Sequence, residues 1–357
     1  MGSMTVNLGV IEGLFGKPWN WADRLTVLRT LAPAGYRFYH YGPKADPFLR
    51  RRWQEPHPPE QFAALAAFAA ECRARGVRFG VALTPVGSTH PFDDASRAAL
   101  RRKLAHLDTL GLDDLAILFD DLPAELPDLA RSQADLVDFC ANATRASRVF
   151  FCPSFYSDDP ILERAWGRRP PAYLADLGRY LDRRVQVYWT GEEVISREIG
   201  VAHLKRVQDE LGRKVCLWDN YPVNDGVRMS QYLHLRAFTG RPAAIRNHVS
   251  GHAINPASQP LLSCIPALTL AANYREGDGY AYGQAFLTAA TTVLGPDFAA
   301  KLRRDILPLQ DTGLDNLGPR HAELRARYGA IDHPAAREIT DWLDGRFRTT
   351  LEEVQTQ

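Results

Sequence analysis

The sequence predicts an α/β fold, a (β/α)8 TIM barrel followed by a small C-terminal helical region, from three observations. Eight short segments rich in apolar, β-branched and aromatic residues recur along the chain. Their spacing of about 30–40 residues matches one βα unit. The stretches between them have the polar–apolar pattern of amphipathic helices. The length of 357 residues suits one barrel of about 250 residues with an appendage.

The predicted strands are nearly continuous apolar runs, which is typical of a parallel sheet covered by helices. Eight of them favour closure into a barrel over an open doubly wound sheet. They begin near Val6, Tyr36, Val77, Leu115, Val149, Val185, Val215 and Val249.

Helical patterns occupy the segments between these strands and the whole end of the chain. The predicted barrel helices span residues 61–75, 96–110, 132–146, 199–211 and 260–272. The last predicted helices span residues 284–293, 297–307, 321–328 and 333–354. We therefore predict a barrel domain over residues 5–281 and a helical appendage over residues 282–357. The helices of the appendage are a candidate homodimer surface.

The composition limits the binding partners and the cellular location that we expect for this protein. The 42 acidic and 43 basic residues nearly cancel, so we expect neither nucleic acid nor a membrane surface as partner. No apolar run reaches the about 18 residues of a membrane helix. Strand-like sequence starts close to the first residue with no apolar leader, which favours a cytoplasmic location. The five cysteines are scattered, as expected for reduced thiols. We expect no metal and no cofactor.

Reactive groups of a (β/α)8 barrel lie at the carboxyl ends of the strands, where the loops surround one opening. In this sequence those ends carry carboxylates, amides, one lysine and several aromatic residues. Such a set is typical of a sugar site, because aromatic faces stack on pyranose rings while polar groups bind vicinal hydroxyls. A nucleotide site would need a glycine-rich loop, and Gly13 and Gly16 lack that spacing.

The sharpest feature is the pair Asp120–Asp121, directly after the apolar run 115–119. Two close carboxylates cannot easily both ionise, so one pKa should rise and leave an acid at neutral pH. The structural alternative is one aspartate capping a helix and the other salt-bridged to an arginine. A metal held by Asp120, Asp121 and Asp219 is a further alternative, although it lacks a histidine partner.

The remaining strand-end residues also have structural alternatives. Lys44, taken alone, fits a solvated loop lysine. Trp189 and Trp218 fit barrel packing equally well, and Asn220 fits a turn cap before Pro222. A supporting hydrogen bond is the expected role of His252, which is close to the end of the eighth strand.

Seven stretches together resemble the β-N-acetylglucosaminidases of glycoside hydrolase family 84, which include O-GlcNAcases and bacterial hyaluronidase-like enzymes. They occur in the family's order within residues 6–275, and the combination is highly specific. The stretches are GVIEGLFGKPW (9–19), YGPKADP (41–47), LFDDLP (118–123), CPSFY (152–156), WTGEEVIS (189–196), LWDNYPVNDG (217–226) and INP (254–256).

The resemblance implies a retaining, substrate-assisted mechanism in which the acetamido oxygen of the sugar attacks the anomeric carbon. It implies that Asp120 orients the acetamido group and that Asp121 is the general acid and base. The remaining implied residues bind the sugar. Asn220 and Asp225 would bind hydroxyls or support the acetamido group, Gly13, Lys44 and Asn255 would surround the ring, Tyr156 would face the oxazoline, and Thr190, Val194 and Trp218 would line the N-acetyl pocket.

The sequence departs from the family pattern at Phe15, Ala45 and Phe155. The family usually has a tyrosine in place of Phe15, an acidic residue in place of Ala45 and a more polar residue in place of Phe155. The expected substrate is a terminal β-linked GlcNAc on a glycoprotein or a small glycoside. Two other functions stay open. One is a non-catalytic GlcNAc receptor, and the other is a barrel glycosidase of different sugar specificity with a carboxylate nucleophile, for which Glu192 and Glu193 are the nearest candidates.

Overall fold

The computed structural model describes residues 6–87, 92–126 and 128–357. Eight parallel strands follow one another around a closed barrel, and β1 pairs with β8. The predicted fold class is confirmed. The strands are β1 Leu8–Glu12, β2 Tyr36–Tyr41, β3 Arg78–Leu83, β4 Asp114–Leu118, β5 Arg148–Cys152, β6 Gln186–Trp189, β7 Val215–Asp219 and β8 Val249–Ile254.

Helices cover the outside of the barrel and continue beyond it. The first eight are α1 Trp21–Leu31, α2 Pro59–Ala74, α3 Asp94–Asp108, α4 Leu129–Ala143, α5 Pro160–Trp166, α6 Tyr173–Tyr180, α7 Val201–Leu211 and α8 Pro260–Glu276. The last five are α9 Tyr282–Leu294, α10 Pro296–Leu307, α11 Arg320–Gly329, α12 Pro334–Leu343 and α13 Leu351–Thr356.

One predicted helix is wrong, and three observed helices of the barrel, α1, α5 and α6, were not predicted. The helix expected over residues 333–354 ends at Leu343, because Gly345 adopts a left-handed conformation with φ 75°. A separate helix, α13, then starts from a capping box at Thr350. Helices α5 and α6 have 7 and 8 residues, too few to establish a helical period in the sequence.

Aromatic side chains fill the barrel interior. Phe38 and His40 of β2 contact Phe150 of β5, with ring centroids 5.9 and 4.6 Å apart, and Phe150 stacks on Tyr188 of β6 at 5.4 Å. Gly9 provides the space opposite Phe38, since a Cβ at position 9 would come within 2.2 Å of that ring. The interior is therefore a packed core, and the open end is left to the loops.

The helices after α8 form a second apolar cluster that also includes residues of α8 and of the long β7–β8 connection. Trp342 of α12 is fully buried, and its indole N–H donates to the carbonyl of Ser230 at 3.1 Å. The appendage is thus packed onto the connection that follows β7. Among the described residues, no helix has the length and apolar character that crossing a bilayer requires.

Candidate active site

One cavity of about 430 Å³ lies at the carboxyl ends of the strands, and we call it the central cavity. The structure brings all of the sequence-derived site residues to its wall. They are Gly13, Lys44, Asp120, Asp121, Tyr156, Thr190, Val194, Trp218, Asn220, Asp225 and Asn255.

Asp120 lies just beyond β4 with 5 % of its surface exposed. Its Oδ2 accepts a short hydrogen bond from the ammonium group of Lys44, which is itself buried. Its Oδ1 is buried and has no hydrogen-bond partner among the described residues. Since a buried polar atom normally has a partner, this oxygen is available to a donor on a bound molecule.

Asp121 has φ 57°, a left-handed conformation that is unusual outside glycine and costs about 1–3 kcal/mol. The turn lets two consecutive side chains reach the same cavity. Burial and then the neighbouring charge of Asp120 raise the pKa of Asp121, while Lys44 and Arg50 oppose the shift. The hydroxyl of Tyr156 donates to its Oδ1 at 3.2 Å. Asp121 therefore holds its proton to higher pH than a solvated aspartate.

A chain of amide and indole groups forms the wall built by β7, β8 and the loop after β1. Oδ1 of Asn220 accepts from the indole of Trp218 at 2.9 Å and from the amide of Asn255 at 3.0 Å. The Asn220 amide donates to the carbonyl of Val194 at 2.9 Å, and the Gly13 N–H donates to Asn255 at 3.2 Å. These mutual bonds fix the orientation of the side chains before any ligand binds.

Asp225 follows β7 and is held to the first loop of the barrel. Its Oδ2 accepts from the backbone N–H of Phe15 at 2.7 Å. Burial raises the pKa of Asp225 to about 6, against the effect of that hydrogen bond. The carboxylate therefore accepts hydrogen bonds from a ligand mainly above this pH.

An apolar patch lies between the ends of β5, β6 and β7. The Thr190 hydroxyl is bound to the carbonyl of Glu193 at 2.9 Å, so its methyl group is the part available to the cavity. Val194, Trp218 and the thiol of Cys152 line the same wall. Burial raises the pKa of Cys152 well above its usual range, so the thiol stays protonated.

The loop that carries Lys44 is held by its neighbour Asp46 despite alanine at position 45. The carboxylate of Asp46 accepts from Tyr41 at 2.9 Å and from Gln61 at 2.9 Å, and it contacts His57 at 3.2 Å. The departure at Ala45 therefore leaves this loop anchored to β2 and α2.

Asp219 lies outside the central cavity. The guanidinium of Arg241 forks onto its two oxygens at 2.7 Å each, and Nε2 of His252 contacts Oδ2 at 3.0 Å. His252 also contacts the Tyr274 hydroxyl at 2.8 Å, in agreement with the supporting hydrogen bond predicted for it. Although burial opposes it, Arg241 and His252 lower the pKa of Asp219 to about 2. Its role in this geometry is to fix the end of β7.

Some residues of the wall were not among the predicted site residues. Phe15 and Cys152 lay within recognised stretches, and adjacency to the strand ends could have identified them. Val354 comes from α13, far along the chain, and no sequence signal connects it with the barrel. Ile161, Ile195, Val223 and Gly226 complete the wall.

The chain is similar to known proteins over most of its length. A family model described as beta-N-acetylglucosaminidase matches residues 8–305. The chain is 27 % identical over 281 residues to the Protein O-GlcNAcase of Rattus norvegicus and 27 % identical over 278 residues to that of Mus musculus, in each case over 75 % of this chain. It spans 30 % of the length of these curated relatives.

Solved structures share the architecture. A Thermobaculum terrenum O-GlcNAc hydrolase mutant superposes with a TM-score of 0.79 at 27 % identity, covering 96 % of this chain and 81 % of its own. CpGH84B superposes with a TM-score of 0.78 at 22 % identity, covering 97 % of this chain and 67 % of its own. At that identity the second likeness bears on the fold alone.

Proposed function

The chain belongs to the β-N-acetylglucosaminidase family, and from this premise we propose that it is a retaining, exo-acting β-N-acetylglucosaminidase. Its substrate would be a terminal β-linked GlcNAc on a protein or a small glycoside, cleaved with the help of the sugar's own acetamido group. One observation carries the proposal. A buried oxygen of Asp120 has no hydrogen-bond partner among the described residues, and it lies beside Asp121, whose pKa is raised by burial and by the charge of Asp120.

In the first step the acetamido carbonyl oxygen attacks the anomeric carbon and the bond to the aglycone oxygen breaks. Asp121 gives its proton to that oxygen, so the aglycone leaves as a neutral alcohol. Oδ1 of Asp120 accepts the acetamido N–H and stabilises the positive charge of the resulting oxazolinium ion, the protonated oxazoline. Lys44 keeps the other oxygen of Asp120 occupied.

In the second step a water molecule attacks the same carbon from the side that the aglycone left. Asp121, now a carboxylate, takes one proton from the water, and the carbon–oxygen bond of the five-membered ring breaks to restore the acetamido group. Two inversions at one carbon give overall retention. Asp121 ends with its proton, ready for the next cycle.

The other wall residues are assigned to binding. Asn220 and Asp225 take sugar hydroxyls or support the acetamido group, and Gly13, Lys44 and Asn255 surround the ring. Tyr156 faces the oxazoline side. The apolar patch of Thr190, Val194 and Trp218 takes the acetamido methyl group.

The position of the glutamates favours this mechanism over a carboxylate nucleophile. Glu192 and Glu193 are exposed, and neither lines the central cavity. Glu192 lies 3.7 Å from Nδ1 of His203 on the outer surface. Asp225, the other carboxylate of the cavity wall, already accepts the Phe15 N–H at one of its two oxygens.

The test measures release of a fluorescent phenol from its β-GlcNAc glycoside and its β-glucoside, with wild type, Asp120→Asn and Asp121→Asn. We expect cleavage of the acetamido sugar alone, with kcat/KM reduced about 100-fold or more in each variant. Equal cleavage of the glucoside would overturn substrate assistance. Binding of an oxazoline mimic without turnover of either glycoside would identify a GlcNAc receptor.

We assign the activity to the barrel over residues 5–281 and retain residues 282–357 as a separate appendage that also offers the homodimer surface. A cytoplasmic location completes the proposal. Sedimentation of the purified chain over a range of concentrations tests the dimer, since a single monomer species at all concentrations would contradict it.

A further inference from the structure

A second depression of about 440 Å³ adjoins the central cavity at Asp121, and we call it the side cleft. It shares Phe15, Asp121 and Val354 with the central cavity. Beyond these shared residues its wall includes Arg50, Arg51, Leu122 and Trp166. Asp121 therefore borders both spaces.

The position of the side cleft fixes which part of a glycoside it would receive. A general acid must lie within hydrogen-bond distance of the oxygen that it protonates. With the GlcNAc ring in the central cavity, the glycosidic oxygen points toward Asp121, and the group attached to it continues past this residue. The volume of about 440 Å³ admits one further sugar unit or a short peptide segment.

Arg50, in the wall of the side cleft, differs from the other buried arginines in having no salt-bridge partner among the described residues. Other buried arginines are salt-bridged, Arg24 to Glu12 and Arg241 to Asp219. Arg50 is 7 % exposed, forms no salt bridge among the described residues, and its buried Nη1 has no hydrogen-bond partner there. A buried guanidinium without a partner is costly, so this group is suited to an anion from outside the chain.

A second guanidinium lies at the rim. Arg51 is exposed, and its Nη2 donates to the backbone carbonyl of Gln355, which leaves its charge without a carboxylate among the described residues. Trp166 and Leu122 supply a partly exposed apolar surface. Asp121 is the only carboxylate among the residues that line this cleft, and in the proposed mechanism it is protonated when the substrate binds.

We propose that the side cleft binds the aglycone and selects one with a carboxylate next to the glycosidic bond, held by Arg50 and Arg51. The inference rests on the proposed function, because it takes the direction of the leaving group from the role of Asp121. The carboxylate is that of a uronic acid unit or of an acidic side chain beside a glycosylated serine. A planar guanidinium is well matched to such a group.

The experiment compares kcat/KM within two matched substrate pairs. One pair is GlcNAc β-1,4-linked to methyl glucuronide or to methyl glucoside. The other is an O-GlcNAc-serine peptide with glutamate or glutamine beside the serine. The proteins are wild type, Arg50→Gln, Arg51→Gln and the control Arg179→Gln, an arginine exposed on α6.

We expect wild type and the control to prefer the carboxylate member of one pair by about 10-fold, and Arg50→Gln to lose most of that preference. Arg51→Gln should lose a smaller part, since it is more exposed. The pair that shows the preference identifies the source of the carboxylate. The ratio within a pair is the readout because Arg50 also affects Asp121, and an effect through Asp121 would change both members equally.

This inference would be overturned if wild type cleaved the fluorescent β-GlcNAc glycoside but had equal kcat/KM within both pairs. The proposed function would then remain intact. Failure to cleave any glycoside would instead contradict the proposed function. In that case calorimetric binding of the thio-linked disaccharide pair tests the cleft, and equal affinities would overturn it. If Arg50→Gln does not fold, the test uses Arg51→Gln and wild type at high salt. High salt screens the charges, so the preference of wild type for the carboxylate member should fall.

Discussion

The ammonium group of Lys44 donates a hydrogen bond to one carboxylate oxygen of Asp120, while the other oxygen of Asp120 is buried and has no partner in the part of the chain that the structure describes. The two residues come from different loops, after β2 and β4. In the proposed mechanism, Lys44 thereby leaves Asp120 a single oxygen with which to accept the acetamido N–H. The salt bridge from Lys44 thus fixes the rotamer of the carboxylate that we propose to be catalytic.

Replacing Lys44 by methionine should reduce kcat/KM about 100-fold, because the carboxylate of Asp120 is no longer held in one orientation. The change also leaves a buried charge unpaired, so the free energy of unfolding should fall by about 3 kcal/mol. Steady-state kinetics and urea unfolding measure the two effects. Lys205→Met on the exposed side of α7 is the matched control, and a Lys44 variant as active as this control would contradict the assigned role.

The hydrogen bond from Tyr156 to Asp121 should affect the pH dependence of kcat/KM. This bond lowers the pKa of Asp121, so Tyr156→Phe should raise it. In the proposed mechanism kcat/KM requires protonated Asp121, so the alkaline limb of its pH profile should move to higher pH in the variant, and the maximum should fall about 10-fold. Tyr180→Phe, remote on α6, serves as control. A limb that stays in place or moves to lower pH would show that another group controls it.

Gly13 permits the Trp218 ring to lie against the backbone. A Cβ at position 13 would come within 2.4 Å of Cζ2 of Trp218, so Gly13→Ala must displace the ring and break its hydrogen bond to Asn220. We expect kcat/KM to fall about 100-fold and the free energy of unfolding to fall by about 2 kcal/mol. Tryptophan fluorescence and a crystal structure check the displacement. The control Gly283→Ala meets no atom within 4 Å and should lose neither activity nor stability.

The strands and the strand-end residues could be predicted from the sequence because both follow from local patterns. Apolar runs at a regular spacing define the barrel, and the barrel dictates where strand ends meet, so Asp120 and Asn220 could be placed in one opening without any structure. The placement of Lys44 on Asp120 and of Trp218 on Gly13 depends on side-chain geometry between separate loops, which spacing does not encode.

The contribution of α13 could not be predicted. The sequence 333–354 has enough helical pattern for one helix, and only the left-handed Gly345 divides it and turns the chain back toward the barrel. Val354 then reaches the central cavity, and the Gln357 side chain accepts from the Gly16 N–H at 2.8 Å. Such contacts join the last helix to the barrel and to the loop after β1, and no periodic pattern in the sequence indicates them.

The Asp219–Arg241 pair makes a pH-dependent contribution to stability. The pKa of Asp219 is lowered to about 2 in the folded chain, against 3.8 for an ordinary aspartate. A lowered folded pKa means that this stability is fully present above the ordinary value and is lost as the pH falls through 3.8 toward 2, by about 2 kcal/mol in total. Asp219→Asn should therefore remove that part of the pH dependence of stability. At pH 7 the free energy of unfolding of the variant should be about 3 kcal/mol lower than that of wild type, because Arg241 loses its partner.

Urea unfolding at pH 7, 5 and 3 tests this expectation. The difference between wild type and Asp219→Asn should be constant from pH 7 to 5 and should shrink by pH 3, because only wild type has the charge to lose. Asp209→Asn is the control, an exposed aspartate of α7 that forms no salt bridge among the described residues, and its difference from wild type should stay near zero throughout. Asp219 lies between Trp218 and Asn220 in the sequence, and both neighbours line the central cavity. Asp219→Asn should therefore also lower kcat. A stable but inactive variant would mean that the salt bridge positions the cavity wall without supporting the fold.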